Sequence, residues 1–295
     1  MKKLIISVLL IALSGVNSKA QELSPYIRVG ETTETMQQTY DKVIAALKDN
    51  SFSVIGGYNP AGKASLKVIA FTRNDLKNTV VKVKDRGALA AVYKVSLVKK
   101  NGKVTITYTN PEYILRAYLQ GNYNTYKTTF AKFSADLKIA LSGLGNEFTP
   151  FGGSVKASKL KKYHYMMAMP YFKDAVDLKE FASFEEGLEV IKNNLKAGKG
   201  NTKQVFKLVY KSKKVAVFGV GLKSKTDGEP HFLPIIGETH AAAMPYEIIL
   251  QGNKATMLDG KYRIALHWPE LTMGTFMEIM STPGNIEDTL KGLCE

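Results

Sequence analysis

The 295-residue chain carries a formal net charge of +15, and its one cysteine, Cys294, lies next to the C-terminus. A single cysteine excludes an intramolecular disulfide, so the hydrophobic core must stabilise the fold, and Cys294 is expected to be a frayed terminal thiol. The excess of basic residues predicts solubility and attraction to an anionic envelope surface.

Residues 1–20 are typical of a secretory signal peptide. Lys2 and Lys3 form the charged start, residues 4–13 form an apolar stretch, and Ser18 and Ala20 supply small residues for cleavage. The apolar stretch is shorter than the roughly 20 residues that span a bilayer, so the chain is not expected to be transmembrane. We expect export, to the periplasm or outside the cell, after cleavage near Ala20. Export argues against nucleic acid as a partner.

Four segments of the first half recur in the same order in the second half, which indicates an internal duplication. The matched segments are 40–50 with 184–194, 68–71 with 215–218, 88–93 with 241–246, and 101–112 with 259–270. We therefore predict a signal peptide at 1–20, a first α+β repeat at 21–145, a linker at 146–160, and a second α+β repeat at 161–295.

The first repeat is predicted to begin with a helix capped by Thr39 and to end with a helix whose apolar stripe runs from Tyr126 to Leu141. The predicted strands between these helices are 51–55, 67–72, 92–99 and 103–108. Asn101-Gly102 is the dipeptide best suited to a tight hairpin turn. Pro111 then opens a helix, where its missing N–H is no loss.

The second repeat is predicted to follow the same order, starting with a helix capped by Ser183. Strands are predicted at 204–210 and 213–220, and Asp259-Gly260 takes the place of the hairpin turn. The strand after that turn is expected to end at His267, before Pro269-Glu270. The fold class is therefore α+β, with two tandem copies of a small domain whose helices pack on a mainly antiparallel sheet.

Two short motifs carry a family resemblance. Residues 241–245, Ala-Ala-Ala-Met-Pro, resemble an Ala-rich Leu-Pro step that precedes a strand, although residues 88–92 lack the proline. The hairpin end at 108–111, Tyr-Thr-Asn-Pro, is also similar. Together with the order of elements, these motifs resemble the bacterial DUF302 family, a domain of unknown function. The resemblance implies a compact α+β fold and implies no activity, ligand or cofactor.

A metal site of mixed imidazole and carboxylate ligands is one functional alternative. All four histidines lie in the second half, and the candidate ligands are His240, His267, Glu238 and Glu270. No H-E-x-x-H motif and no paired-cysteine set supports them, so a metal is a possible cofactor and none is predicted outright. His267 is alternatively a packed or surface residue.

Methionines and aromatic residues supply the candidate ligand-binding side chains, which are Tyr118, Tyr123, Met244 and Trp268. Eight methionines lie between residues 166 and 280. They are expected to be core filler, with an adaptable apolar groove for a lipid-like or peptide ligand as the functional alternative.

No catalytic residue is predicted, because no nucleophilic residue and base occur at the sequence spacing of a known catalytic motif. We expect a non-enzymatic exported protein that binds an unknown small-molecule, lipid-like or peptide ligand, in the cleft between the repeats or on the second repeat. The alternatives are a metal-dependent hydrolase or metal-handling envelope protein, and a structural envelope protein.

Overall fold

A computed structural model describes residues 21–295. The predicted signal peptide at 1–20 lies outside the described residues. Within the described part of the chain, no helix is both long and apolar enough to cross a membrane.

Residues 21–295 form thirteen strands. In chain order they are β1 (Glu22–Leu23), β2 (Tyr26–Thr32), β3 (Ser53–Tyr58), β4 (Leu66–Thr72), β5 (Tyr93–Lys100), β6 (Lys103–Thr109), β7 (Thr149–Phe151), β8 (Val155–Lys156), β9 (Val176–Glu180), β10 (Thr202–Tyr210), β11 (Val215–Leu222), β12 (Tyr246–Gln251) and β13 (Lys254–Met257).

The same residues form ten α-helices. They are α1 (Met36–Asp49), α2 (Asn74–Val80), α3 (Pro111–Leu119), α4 (Lys127–Leu141), α5 (Ala157–Leu160), α6 (Phe184–Ala197), α7 (Glu229–Ile236), α8 (Gly260–His267), α9 (Met273–Glu278) and α10 (Thr282–Gly292). Two 3₁₀ segments also matter: the first alanine segment (Gly87–Ala91) and the second alanine segment (Glu238–Ala243).

Two antiparallel sheets organise the fold, which is α+β as the sequence predicts. The first sheet has the order β3-β4-β5-β6-β2-β7, and the second has the order β10-β11-β12-β13-β9. Apart from β7, the two sheets therefore arrange five corresponding strands in the same order. This shared order supports a duplication, and a common origin of the halves stays a prediction.

The two halves cover each other's sheets through the alanine segments. The first alanine segment packs on β11 and β12 of the second sheet, and the second alanine segment packs on β4, β5 and β6 of the first. The ring centroid of Tyr93 in β5 lies 5.1 Å from that of Phe133 in α4. The next residue, Lys94, contacts Glu247 of the second half. Successive strand residues point to opposite faces, so α4 and the second half lie on opposite faces of the first sheet.

The second hairpin differs from its prediction. Gly252-Asn253 forms the turn between β12 and β13, whereas Asp259 caps α8 by accepting hydrogen bonds from the backbone N–H groups of Lys261 and Tyr262. His267 therefore ends a helix and not a strand, and Pro269-Glu270, which by analogy with Pro111-Glu112 is predicted to open a helix, opens none. An Asp before a glycine suits an N-cap as well as a turn, and only the surrounding fold decides between them.

Three other predictions need correction. The N-cap of α1 is Thr35, and Thr39 is a buried residue inside the helix. The predicted linker contributes β7 to the first sheet, and its β8 pairs with β1. Cys294 is buried, and its Sγ lies 3.5 Å from the Leu290 carbonyl oxygen, so it is not a frayed thiol. The cap Ser183 and the helix start at Pro111 are as predicted, and Asn110 is the N-cap before Pro111.

Candidate ligand-binding site

An apolar groove lies on the second half, between the loop that follows α5 and helices α8 and α9. It has a volume of about 120 Å³, and we call it the methionine groove. Its lining residues are Tyr165, Met166, Met169, Lys261, Ile264, Ala265, Trp268, Leu271, Met273 and Phe276.

Helix α8 forms one wall of the groove. Lys261, Ile264, Ala265 and Trp268 recur at spacings of three and four residues, which places them on one helical face. The predicted turn and strand from Asp259 onward disagree with this helical periodicity. The periodicity is present in the sequence and is the signal that identifies the wall.

Helix α9 forms the facing wall and begins at the N-cap Thr272, which accepts a hydrogen bond from the Thr275 N–H. Met273 and Phe276 lie one turn apart and both line the groove. Met277 follows Met273 by four residues and continues this face outward, with 56% of its surface exposed.

Five methionines around the groove are exposed rather than core filler. Met166, Met273, Met277 and Met280 are exposed by 49–59%, and Met167 by 89%. Met244 and Met257, in contrast, are buried in the core as expected. Flexible, polarizable methionine side chains are common on surfaces that adapt to apolar partners.

Trp268, the chain's only tryptophan, connects the groove to the interior. It lines the groove while only 1% of its surface is exposed, and its ring stacks on His240 with 5.7 Å between centroids. Among residues 21–295, its indole N–H has no hydrogen-bond acceptor. Leaving this buried donor without an acceptor costs free energy.

The other three predicted ligand-binding residues do not line the groove. Met244 is fully buried, and Tyr118 packs against Phe172 in the core. Tyr123 lines a separate depression of about 360 Å³, where the Arg116 guanidinium lies 4.3 Å from its ring centroid. Of the predicted set, the structure places only Trp268 at the groove.

His267 is a core residue held by two tyrosines. Its Nδ1 lies 3.2 Å from the Tyr26 hydroxyl, and its Nε2 lies 3.4 Å from the Tyr118 hydroxyl. Burial lowers the pKa of His267 well below its usual value, and the positive charge of Arg263 lowers it further. The imidazole is therefore neutral, and each of its ring nitrogens contacts a tyrosine hydroxyl.

The four predicted metal ligands do not form a cluster. Glu238 forms an ion pair with Lys63, while His240 Nε2 lies 3.2 Å from Glu270 Oε1. Within residues 21–295, no group of three or more His, Cys, Asp or Glu side chains is arranged to hold a metal ion. The structure thus brings together only His240 and Glu270.

A second, larger cavity lies between the halves, and we call it the polar cleft. It has a volume of about 710 Å³, with a floor formed by the first sheet and one wall formed by the second half. Its residues are Arg28, Glu31, Val98, Lys100, Asn101, Lys103, Thr105, Thr107, Glu147, Thr149, Phe151, Gly152, Thr239, His240 and Glu270.

No family model matches this chain, and neither does any curated protein or solved structure. The resemblance to the DUF302 family therefore stays a prediction.

Proposed function

We propose that this protein is an exported, non-enzymatic binding protein that holds an anionic amphiphile, with the head-group end of its apolar chain in the methionine groove. The observation that carries the proposal is a set of three methionines, Met166, Met169 and Met273, lining one apolar groove. Export rests on the signal-like pattern of residues 1–20 and on no structural observation.

The size of the groove limits what enters it. A cavity of about 150 Å³ holds a benzene molecule, so about 120 Å³ accommodates a short alkyl segment and not a whole lipid. The rest of the chain would extend outward over the exposed side chain of Met277. Burying each CH₂ group contributes about 0.8 kcal/mol to binding.

Charge favours an anionic head group. Lys261 lines the groove and, among residues 21–295, makes no ion pair. The net charge of +15, or +12 without Lys2, Lys3 and Lys19, adds long-range attraction for anions. A carboxylate also supplies acceptor oxygens for the Lys261 ammonium.

The lone tryptophan provides the test. Dibromostearate, a fatty acid whose bromines quench tryptophan at short range, is expected to quench Trp268 emission saturably below its critical micelle concentration. Unbrominated stearate should compete with it, and a cationic alkyl ammonium of equal length should bind more weakly.

Two variants form a matched pair. Met273→Ser removes a methionine from the groove wall, whereas Met280→Ser removes an equally exposed methionine that does not line the groove. The first should weaken dibromostearate binding about fivefold, since roughly 1 kcal/mol of apolar contact is lost. Absence of quenching, or equal effects of both variants, contradicts the proposal.

A second candidate is a metal-handling role with thioether ligands in place of histidines. Met166, Met169 and Met273 face one groove from two chain segments, and soft thioethers select Cu(I). Anaerobic competition for Cu(I) against bathocuproine disulfonate tests this role. One equivalent bound, and lost in Met273→Ser but not in Met280→Ser, would support it; no Cu(I) uptake rejects it.

A further inference from the structure

The polar cleft has the dimensions of a ligand site in its own right. Its volume of about 710 Å³ falls within the range of roughly 300–1,000 Å³ typical of small-molecule pockets. It lies where two halves of one chain meet, a common location for binding sites.

The charges in the cleft are balanced. Its lining contains three cations, Arg28, Lys100 and Lys103, and three carboxylates, on Glu31, Glu147 and Glu270. Arg28 already pairs with Glu31 at 2.7 Å and with Glu147 at 3.0 Å. A charged ligand would therefore meet repulsion from one set, whereas neutral hydroxyl groups can donate to the carboxylates and accept from the cations.

His240 supplies an unused polar group in the lining of this cleft. Only 5% of the residue is exposed, and within residues 21–295 its Nε2 makes no hydrogen bond, even though Glu270 Oε1 lies 3.2 Å away. Its Nδ1 lies 3.1 Å from the Thr239 hydroxyl. When that hydroxyl donates to Nδ1, Nε2 carries the proton and becomes a donor without an acceptor. Burial lowers the pKa of His240 to about 4, which keeps the ring neutral.

Gly152 packs close to His240, where there is no room for a side chain. A Cβ at this position would lie 2.9 Å from His240 Nε2, and the residue has φ of +89°. The neighbouring Phe151 presents an aromatic ring whose centroid lies 5.8 Å from that of His240. A donor, an acceptor and an apolar ring face therefore converge in the cleft.

We propose that the polar cleft binds a neutral saccharide. One sugar hydroxyl accepts a hydrogen bond from His240 Nε2–H and donates one to the Glu270 carboxylate, which joins two groups that do not satisfy each other. The apolar face of the sugar ring packs on Phe151. The hydroxyls of Thr149 and Thr239 and the ammonium of Lys100 supply further partners.

The test uses a panel of neutral trisaccharides, namely maltotriose, cellotriose, mannotriose and N-acetylated chitotriose, with trigalacturonate as the acidic comparison. Saturation-transfer NMR detects binding, and calorimetry measures it. We expect at least one neutral trisaccharide to bind the full mature chain. Binding should shift the ¹⁵N resonance of His240 Nε2. The affinity for this neutral trisaccharide should exceed the affinity for trigalacturonate.

Paired surface variants locate the site. Glu270→Ala should weaken binding about tenfold, whereas Glu278→Ala, an exposed carboxylate outside the cleft, should leave it unchanged. Lys100→Ala and Lys99→Ala form a second pair on one strand, because only Lys100 lines the cleft. All four positions are exposed or partly exposed, so the variants are expected to fold.

Three outcomes overturn the saccharide proposal. They are no binding by any neutral member up to about 10 mM, preference for trigalacturonate, and equal effects within either variant pair. Met273→Ser should leave saccharide binding unchanged, so failure of the methionine groove and failure of the polar cleft are distinguished by separate measurements.

Discussion

Lys94 of β5 donates a hydrogen bond to Glu247 of β12 across the contact between the two halves, with 2.5 Å between Nζ and Oε1. Lys94 is the second residue of β5, and Glu247 is the second residue of β12. Each of these strands follows the alanine segment of its own half. Both side chains are about 90% buried, and Arg263 lies 3.2 Å from the other side of the Glu247 carboxylate. One carboxylate therefore compensates two buried cations.

This arrangement predicts unequal effects of removing either partner. Glu247→Gln should destabilise the protein by about 3–5 kcal/mol, because both Lys94 and Arg263 lose their buried counterion. Lys94→Met should cost less than about 2 kcal/mol, since Glu247 keeps Arg263. Urea unfolding of both variants measures the free energies, and equal losses would contradict the shared-carboxylate arrangement.

The contact between β3 and β10 predicts a steric effect at Gly56. A Cβ on Gly56 would lie 1.9 Å from the Val205 carbonyl oxygen, which is backbone and cannot move alone. Gly56→Ala should therefore lower the unfolding temperature strongly, by separating the edge strands of the two sheets. Gly121→Ala is the control, because nothing lies within 4 Å of its Cβ position. Similar unfolding temperatures for both variants would show that these edges are not in close contact.

Glu229 predicts a pH-dependent stability. Its carboxylate accepts hydrogen bonds from the Tyr58 hydroxyl and the Ala61 N–H, and burial raises its pKa to about 7 from 4.5. Because the folded pKa is the higher one, the folded protein binds the proton more tightly. This contribution is full below pH 4.5 and is lost as the pH rises through 7.

Comparison with Glu229→Gln isolates that contribution, since glutamine does not titrate. From pH 8 to pH 4.5, the wild-type chain should gain about 3 kcal/mol of unfolding free energy relative to the variant. Chemical denaturation across this range measures the difference. A difference that stays constant with pH would mean that Glu229 titrates normally in the folded protein.

Trp268 reports the protonation of His240, which stacks on it at 5.7 Å. Because burial lowers the pKa of His240 to about 4, Trp268 emission should stay constant from pH 8 to about pH 5 and fall near pH 4. His240→Phe should remove this transition, with circular dichroism confirming that the chain remains folded. A midpoint near pH 6.5 would show that solvent reaches the imidazole freely.

Cys294 should react slowly with thiol reagents. It is fully buried, and burial raises its pKa to about 12, so little thiolate is present at neutral pH. Labelling with Ellman's reagent should be slow in native buffer and rapid in guanidinium chloride. Rapid labelling of the native protein would mean that the end of the chain after α10 opens readily.

Local patterns predicted helices α1, α3, α4 and α6 and six of the thirteen strands, namely β3 to β6, β10 and β11. Ser183 and Asn110 are helix caps because their side chains satisfy backbone N–H groups close in sequence. Asn101-Gly102 forms the predicted turn with positive φ at both residues, a conformation that these residue types tolerate best. The α+β class follows from this succession of local signals.

The candidate sites depended on contacts between residues far apart in sequence. Asp259 could cap a helix or begin a turn, and the pairing of β12 with β13 through Gly252-Asn253 decided for the cap. Because this segment is a helix, Ile264 and Trp268 line the same groove as Met273 of α9 and the methionines of the loop that follows α5. It also placed Trp268 on His240 beside the polar cleft. The sequence alone determined which side chains were present, and tertiary packing decided which became neighbours, because burial is a property of the whole chain.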